Sequence, residues 1–206
     1  MLVRYWYWFA QTLIWPLSWL LIRFFYSVEI KGAEKLKNLK LPVIIASNHK
    51  TLFDAFLVGS SLPFGSRFFP FRYMTEEIDF RGAMLRFLSK IKFLKTLYFL
   101  TGGFPSRRGQ GADKAIELPV KLLKKGNTIL MFPEGKLVRE NSLGTFYPGV
   151  VKLSIAAGVP ILPFSFYIKN RKISVRFGEI FMPDSEPERA LLLLKTKIET
   201  LLKTAS

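Results

Sequence analysis

Apolar runs and turn residues follow one another along the chain in a pattern that predicts alternating strands and helices. Continuous or alternating apolar residues predict strands over 28–32, 42–46, 128–132, 161–168 and 172–181. Apolar residues at helical spacing predict helices over 110–125, 149–157 and 186–203, the first ending at Gly126. Because strands alternate with helices, we expect one α/β domain over 28–206, with a mixed sheet flanked by helices.

The first 27 residues differ from the rest of the chain. No charged residue occurs from Tyr5 to Ile22, and all four tryptophans lie in this run, which Arg4 and Arg23 bracket. Pro16 interrupts the run, which is slightly shorter than the ~20 residues of a spanning helix, and no small-residue cleavage site of a secretory signal follows it. We therefore predict an aromatic-rich helical membrane anchor over 1–27 that lies in the interface, with a spanning helix as the alternative.

A second segment, residues 80–99, combines an apolar stripe with basic residues. The stripe consists of Phe80, Ala83, Met84, Phe87, Leu88, Ile91 and Leu94, and Arg81, Arg86, Lys90 and Lys92 fall mostly off it. Such a pattern is typical of a surface helix packed on the core, or of a basic amphipathic helix on anionic lipid. The aromatic anchor elsewhere in the chain favours the membrane.

The composition of the chain indicates an anionic partner. Lys and Arg number 31 against 15 acidic residues, which gives a net charge of +16 over 206 residues. Half of the residues are hydrophobic and 15% are aromatic. This apolar excess favours a membrane surface over nucleic acid, so we expect an anionic phospholipid membrane as a partner and no nucleic acid.

Two scarcities narrow the chemistry. The chain has no cysteine, which excludes a thiolate nucleophile and cysteine-ligated zinc. It has one histidine, His49, so any imidazole base must be this residue and a site with two histidine ligands is excluded. We predict no metal site and no cofactor.

His49 stands directly after the predicted strand 42–46, and Asp54 follows five residues later. If a helix begins just after His49, the carboxylate can fold back under the imidazole and orient it. One ring nitrogen then remains free to take a proton. The alternative is a helix-capping Asn48 beside a chance histidine, since an isolated His-x4-Asp pattern is short.

Three further segments are informative mainly in combination. Phe132-Pro133-Glu134-Gly135-Lys136 ends the strand 128–132, and in α/β sheets ligands bind at the carboxyl ends of strands. Residues 102–109 place Arg107 and Arg108 on a glycine-flanked loop suited to a phosphate. Residues 158–163 are a helix stop that leads into a strand. Alone, each pattern also describes an ordinary turn.

In order, these four segments resemble the four signature blocks of the glycerolipid acyltransferase family of the bacterial PlsC type, over residues 28 to 180. The resemblance implies His49 as general base and Asp54 as its partner. It implies that Arg108 and the Glu134-Gly135 pair lie on the acceptor side. Pro160 matches the proline of the fourth block.

The resemblance also implies a reaction and a location. The acyl donor is acyl-CoA or acyl carrier protein, and the acceptor is a lysophospholipid, with 1-acylglycerol-3-phosphate giving phosphatidate. We expect the protein on the cytoplasmic face of the inner membrane. The chain departs from the family pattern at Arg107, where an acidic residue is usual, and at Lys136-Leu137-Val138, where Thr-Arg-Ser is usual. Lys136 or Arg139 could supply the charge of the missing arginine.

Two other functions stay open on the sequence. An acyltransferase for a different lipid acceptor, such as an amino-lipid or a sterol-like alcohol, would share the same base. A non-catalytic protein that binds anionic lipid would share the charge and the anchor, but it would have no use for a histidine held by a carboxylate.

Overall fold

The computed structural model describes residues 2–37, 39–40, 42–75, 93–105, 112–138 and 142–205. In chain order the helices are α1 (Leu2–Phe25), α2 (Asp54–Ser61), α3 (Phe93–Leu100), α4 (Ala112–Lys124), α5 (Gly149–Ala157) and α6 (Pro187–Lys203), with a short 3-10 helix at Ala33–Leu36. The strands are β1 (Ser27–Lys31), β2 (Ile44–Ser47), β3 (Phe71–Thr75), β4 (Gly103–Pro105), β5 (Thr128–Met131), β6 (Ile161–Lys169) and β7 (Lys172–Phe177).

The seven strands form one mixed sheet in the order β1-β7-β6-β2-β5-β3-β4. The strands from β6 to β4 run parallel to one another, whereas β7 returns antiparallel to β6 and pairs in parallel with β1. The carboxyl ends of β2, β5 and β6 therefore lie at one edge of the sheet. This is the edge where α/β folds bind ligands.

Helices cover both faces of the sheet and bury two apolar cores. On one face α2 and the 3-10 helix pack over side chains that include Ile45, Phe164 and Phe166. On the other face α4, α5 and α6 pack over Ile44, Ile129 and their neighbours. Adjacent residues such as Ile44 and Ile45 are both fully buried because both faces are covered, and this explains why the central strands are continuous apolar runs.

Helix α1 is continuous through Pro16 and lies against α2 and the end of α3. Tyr7 and Gln11 point inward and are 3% and 5% exposed. The Gln11 amide donates to the carbonyl oxygens of Phe71 and Thr101, each at 2.7 Å, and accepts from the Phe71 amide at 3.0 Å. These bonds attach α1 to the beginnings of β3 and β4. Within the described ranges, no helix has both the length and the hydropathy needed to cross a membrane.

The predicted mixed sheet with flanking helices is confirmed. The predicted strand over 172–181 is shorter than expected: β7 ends at Phe177, and beyond it Phe181 makes one isolated bridge to Ile161. The sequence did not predict β3 or β4, and the loop expected over 102–109 begins as β4. Most of the predicted amphipathic helix 80–99 lies outside the described residues, and its last part, 93–99, forms nearly all of α3.

Candidate active site

His49 lies just past the carboxyl end of β2, where its imidazole meets the carboxylate of Asp54. Its Nδ1 lies 2.8 Å from Asp54 Oδ2. The His49 side chain is 20% exposed and that of Asp54 is fully buried. Because Nδ1 is held by the carboxylate, Nε2 is the ring nitrogen left to exchange a proton with a substrate. The sequence predicted this pairing, and the structure contains it.

A tight turn over 50–53 brings Asp54 back under His49. The backbone amides of Lys50 and Thr51 donate to the Asp54 carboxylate at 2.6 and 3.0 Å, and the Thr51 hydroxyl donates at 2.6 Å. Asp54 is also the first residue of α2, where the helix dipole favours a negative charge. The buried carboxylate is thus held in one position, so it can fix the orientation of the imidazole.

Glu134 reaches the same place from the end of β5. Its Oε2 accepts the backbone N–H of His49 at 2.7 Å, and its Oε1 accepts that of Gly144 at 2.8 Å. The side chain is completely buried. Burial raises the pKa of Glu134, and the two amides oppose this shift. One carboxylate therefore ties His49 to the loop 142–148. Contact between Glu134 and an acceptor stays a prediction.

Two contacts further restrict the movement of the histidine. The ring of Phe132 stacks on the imidazole with centroids 4.0 Å apart and planes inclined by 11°. Asn48, fully buried, exchanges two hydrogen bonds with the backbone of Phe166 on β6, at 2.9 and 3.0 Å. Asn48 thus joins the end of β2 to β6 beyond the last paired residues and is not a helix cap. The sequence did not indicate either contact.

Gly144 lies where a side chain would not fit without movement of its neighbours. A Cβ at this position would lie 2.8 Å from Cγ2 of Val138, a distance that atoms do not tolerate without movement. The Val138 amide in turn donates to the carbonyl oxygen of His49 at 2.8 Å. Both backbone groups of His49 are therefore bound by the polypeptide that follows β5.

The remaining predicted site residues are placed differently. Gly135 forms the turn after Glu134 with φ of 61°, and Lys136 is exposed beside it. Arg108, together with Arg107 and Arg139, lies outside the described residues. Pro160 precedes β6 at the opposite edge of the sheet from His49, where its carbonyl oxygen accepts the amide of Ile44.

Comparisons with known proteins agree with this geometry. A family model described as Acyltransferase matches residues 27–167. A chloroplastic 1-acyl-sn-glycerol-3-phosphate acyltransferase of Brassica napus is 24% identical over 148 residues, which are 68% of this chain and 37% of the plant protein. A probable 1-acyl-sn-glycerol-3-phosphate acyltransferase of Mycoplasma genitalium is 28% identical over 127 residues, which are 61% of this chain and 44% of that protein. The chain thus spans about two fifths of the length of these relatives.

A solved structure has the same fold. The crystal structure of the 1-acyl-sn-glycerophosphate (LPA) acyltransferase PlsC from Thermotoga maritima matches with a TM-score of 0.68 and 19% identity, over 95% of this chain and 78% of that one. The family match extends over well over half of the chain and includes His49, Asp54 and Glu134. The chain belongs to the acyltransferase family.

Proposed function

We propose that this protein transfers a fatty acyl group from a thioester to the hydroxyl of a lysophospholipid, with 1-acylglycerol-3-phosphate as acceptor and phosphatidate as product. The observation that carries the proposal is the His49–Asp54 pair at the ligand-binding edge of the sheet, within the family match. The names of the relatives from Brassica napus and Mycoplasma genitalium support the choice of acceptor.

The pair performs the transfer without a covalent enzyme intermediate. His49 Nε2 takes the proton of the acceptor hydroxyl while that oxygen attacks the thioester carbonyl carbon. The carbon–sulfur bond then breaks, and the departing thiolate takes the proton from His49. General base catalysis of this kind contributes about 10²–10⁴-fold. Asp54 keeps Nδ1 protonated and stabilises the imidazolium that forms during the attack.

The oxyanion that forms during the attack needs hydrogen-bond donors other than the backbone amides of the turn that follows His49. The backbone amide of His49 donates to Glu134, and those of Lys50 and Thr51 donate to Asp54. Their role is therefore to hold the two carboxylates that position the base.

Two basic residues of the family motifs are proposed to bind the anionic acceptor. We assign Arg108 and Lys136 to the phosphate of the acceptor, with Arg108 as a planar fork and Lys136 as a point charge. Gly135 shapes the turn that presents Lys136, and Glu134 holds that turn against His49. Acyl-CoA and acyl carrier protein are both anionic, which fits the net charge of +16.

Helix α1 is the proposed membrane anchor because its outward face is apolar. The exposed residues recur at helical spacing: Phe9, Leu13, Leu17, Leu20, Leu21 and Phe24 are each at least 49% exposed. The inward face carries the polar Gln11 instead. A helix with its apolar side toward solvent fits a bilayer interface, and we place the protein on the cytoplasmic face of the plasma membrane, where both donors occur.

Product analysis by mass tests the proposal. The purified protein is mixed with lysophosphatidate and, in turn, acyl-CoA or acyl carrier protein, and phosphatidate is expected with at least one donor. A folded His49→Ala protein should give none. If product forms only with a phosphate-free acceptor, lysophosphatidate is not the acceptor. Near-normal turnover by His49→Ala would overturn the mechanism. No product from any acceptor would favour a non-catalytic lipid-binding protein.

Kinetics of two variants test the acceptor site. Arg108→Ala should raise the KM for lysophosphatidate and leave that for the donor nearly unchanged, because a lost ground-state contact acts through binding. Lys136→Leu should act in the same way but more weakly. An unchanged acceptor KM in both variants would remove the phosphate-binding assignment and leave His49 unaffected.

A further inference from the structure

The hairpin between β6 and β7 is a basic projection at the edge of the sheet that carries His49. Asn48 bonds to Phe166, and β6 continues three residues farther to Lys169. At a rise of ~3.3 Å per residue, the strand extends about 10 Å past the site. The tip of the hairpin consists of Lys169, Asn170, Arg171 and Lys172, all exposed.

Backbone conformation at the tip is unusual for the residues that occupy it. Asn170 and Arg171 have φ of 47° and 61°, as both central residues of a type I′ turn require. Asparagine adopts this conformation readily, whereas an arginine does so at a cost and glycine is the preferred second residue. The chain thus carries a guanidinium where a glycine would fold more easily, which points to a use for the charge.

Two of the cations at the tip have no acidic partner among the described residues. Lys172 is paired with Glu29 at 2.8 Å, and Glu29 also binds Lys31 and Arg176. No such pair is present for Lys169 or Arg171 within the described ranges. The hairpin therefore presents net positive charge to the solvent.

The same hairpin is joined to the end of α1. Arg171 Nε donates to the carbonyl oxygen of Phe25 at 3.1 Å, and the Arg171 carbonyl oxygen accepts the Ser27 amide at 2.8 Å. Phe24 and Phe25 at this end are 75% and 52% exposed. Cations beside exposed aromatic rings match a bilayer surface, where rings enter the interface and cations meet phosphates.

We propose that Lys169 and Arg171 bind the phosphate groups of an anionic bilayer and turn the His49 edge of the sheet toward it. The proposal rests on the membrane anchoring by α1 put forward above and adds a separate, electrostatic contact. The occupant is the bilayer because Arg171 is bonded to the apolar end of α1 and Lys169 lies on the same hairpin tip. The acidic acyl donor is the competing occupant that the experiment must separate.

The test uses the full chain with Lys169→Gln and Arg171→Gly combined. Asn-Gly is the sequence a type I′ turn prefers, so the hairpin stays folded. The variant also loses the bond from Arg171 Nε to Phe25, and binding to neutral vesicles shows whether that loss disturbs α1. The matched control combines Lys124→Gln and Lys195→Gln, which remove the same charge from α4 and α6 on the other face of the sheet. Binding is measured by flotation with phosphatidylcholine vesicles and with vesicles half composed of phosphatidylglycerol, at low ionic strength.

The hairpin variant should bind anionic vesicles about 25-fold more weakly than the unchanged protein, because each cation at an anionic surface contributes about fivefold. The control should change by less than about threefold, and binding to neutral vesicles should not change. Equal losses in both variants, or no loss in the hairpin variant, would overturn the proposal. Failure of the unchanged protein to bind neutral vesicles would instead count against α1 as the anchor.

A kinetic measurement separates the bilayer from the donor. With a short-chain acceptor dissolved as monomers, the hairpin variant should keep the donor KM of the unchanged protein, and its activity should fall only when the acceptor is in anionic vesicles. A raised donor KM with the dissolved acceptor would assign the two cations to the acyl donor and overturn the membrane contact.

Discussion

Asp54→Asn tests whether the buried carboxylate contributes charge as well as orientation. Asp54 Oδ2 accepts the Lys50 amide at 2.6 Å and faces His49 Nδ1 at 2.8 Å. The Lys50 amide can only donate, so the carbonyl oxygen of an asparagine must take this position. The imidazole then keeps its hydrogen bond and its tautomer. The substitution therefore removes the negative charge and keeps the His49 hydrogen bond. Its cost is at the other oxygen, where the asparagine nitrogen replaces an acceptor of the Thr51 amide; that amide keeps its second contact to Oδ2, and the Thr51 hydroxyl can turn to accept.

The magnitude follows from the charge that develops on His49 during the attack. Two unit charges at this separation attract by about 6 kcal/mol at an effective dielectric constant of about 20. The imidazole is 20% exposed, so solvent screens part of this, and about 3–4 kcal/mol remains. This corresponds to a loss of about 10²–10³-fold in kcat. Asp54→Ala should lose more, because it also leaves the buried amides of the turn unpaired.

Thiol release from the donor is a sensitive assay for these variants. The chain has no cysteine, so every thiol that reacts with a colorimetric reagent comes from the donor. Asp184→Asn, an exposed acidic residue on the loop before α6, removes the same charge and should retain full activity. A folded Asp54→Asn protein that keeps more than about a third of the kcat would refute a catalytic role for the carboxylate charge.

Three further substitutions follow from the same contacts. Glu134→Gln replaces one carboxylate oxygen by an NH₂ group that faces a backbone N–H, either that of His49 or that of Gly144. We expect the free energy of unfolding to fall by about 1–3 kcal/mol, and kcat to fall because His49 is displaced. Burial raises the pKa of Glu134 above its ordinary 4.5, so ionisation of this carboxyl destabilises the folded wild type. The free energy of unfolding of the wild type should therefore exceed that of Glu134→Gln by less as the pH rises from 4.5. A difference that grows with pH would contradict this prediction. Gly144→Ala should lower kcat more than donor KM, since its Cβ would strike Val138; an unchanged kcat would show that the loop is free to move. Gln11→Leu should lower Tm by about 6–12 °C, as measured by thermal unfolding, because three buried hydrogen bonds from its side chain to the backbone are lost. A Tm within about 2 °C of wild type would mean that Gln11 does not attach α1 to the sheet.

The central strands could be predicted because their sequence reflects their surroundings. β2, β5 and β6 are covered on both faces, so they are apolar at consecutive positions. β3 escaped prediction because Arg72 stands inside it. That arginine is buried, its Nε donates to the Gly102 carbonyl oxygen at 2.7 Å, and its guanidinium lies over the ring of Tyr7. The residues that stabilise Arg72 lie in α1 and just after α3, far from β3 in sequence, so the sequence of β3 itself does not show a strand pattern.

The same distinction applies to the site. His49 and Asp54 are five residues apart, and one turn joins them, so their pairing could be predicted from spacing and residue type. The bond between His49 and Glu134 joins residues 85 positions apart and uses a backbone amide, which every residue has. No sequence pattern marks a backbone donor. The resemblance to a family indicated that Glu134 belongs to the site, and the folded structure shows that it holds the backbone of His49.

Helix α1 is bonded to the sheet and is also the proposed membrane anchor, and a truncation cannot separate these two roles. In a helix that faces only lipid, the polar amide of Gln11 would be unfavourable, but here Gln11 is buried and hydrogen-bonded to the start of β3. A protein that starts at Val28 would lose these bonds together with the outward apolar face, so weaker membrane binding would not distinguish a lost anchor from a damaged fold. Leu13→Ser and Leu17→Ser change only exposed side chains, each more than half exposed. Together they should weaken binding to neutral vesicles and leave Tm unchanged; unaltered binding would mean that the outward face of α1 does not enter the bilayer.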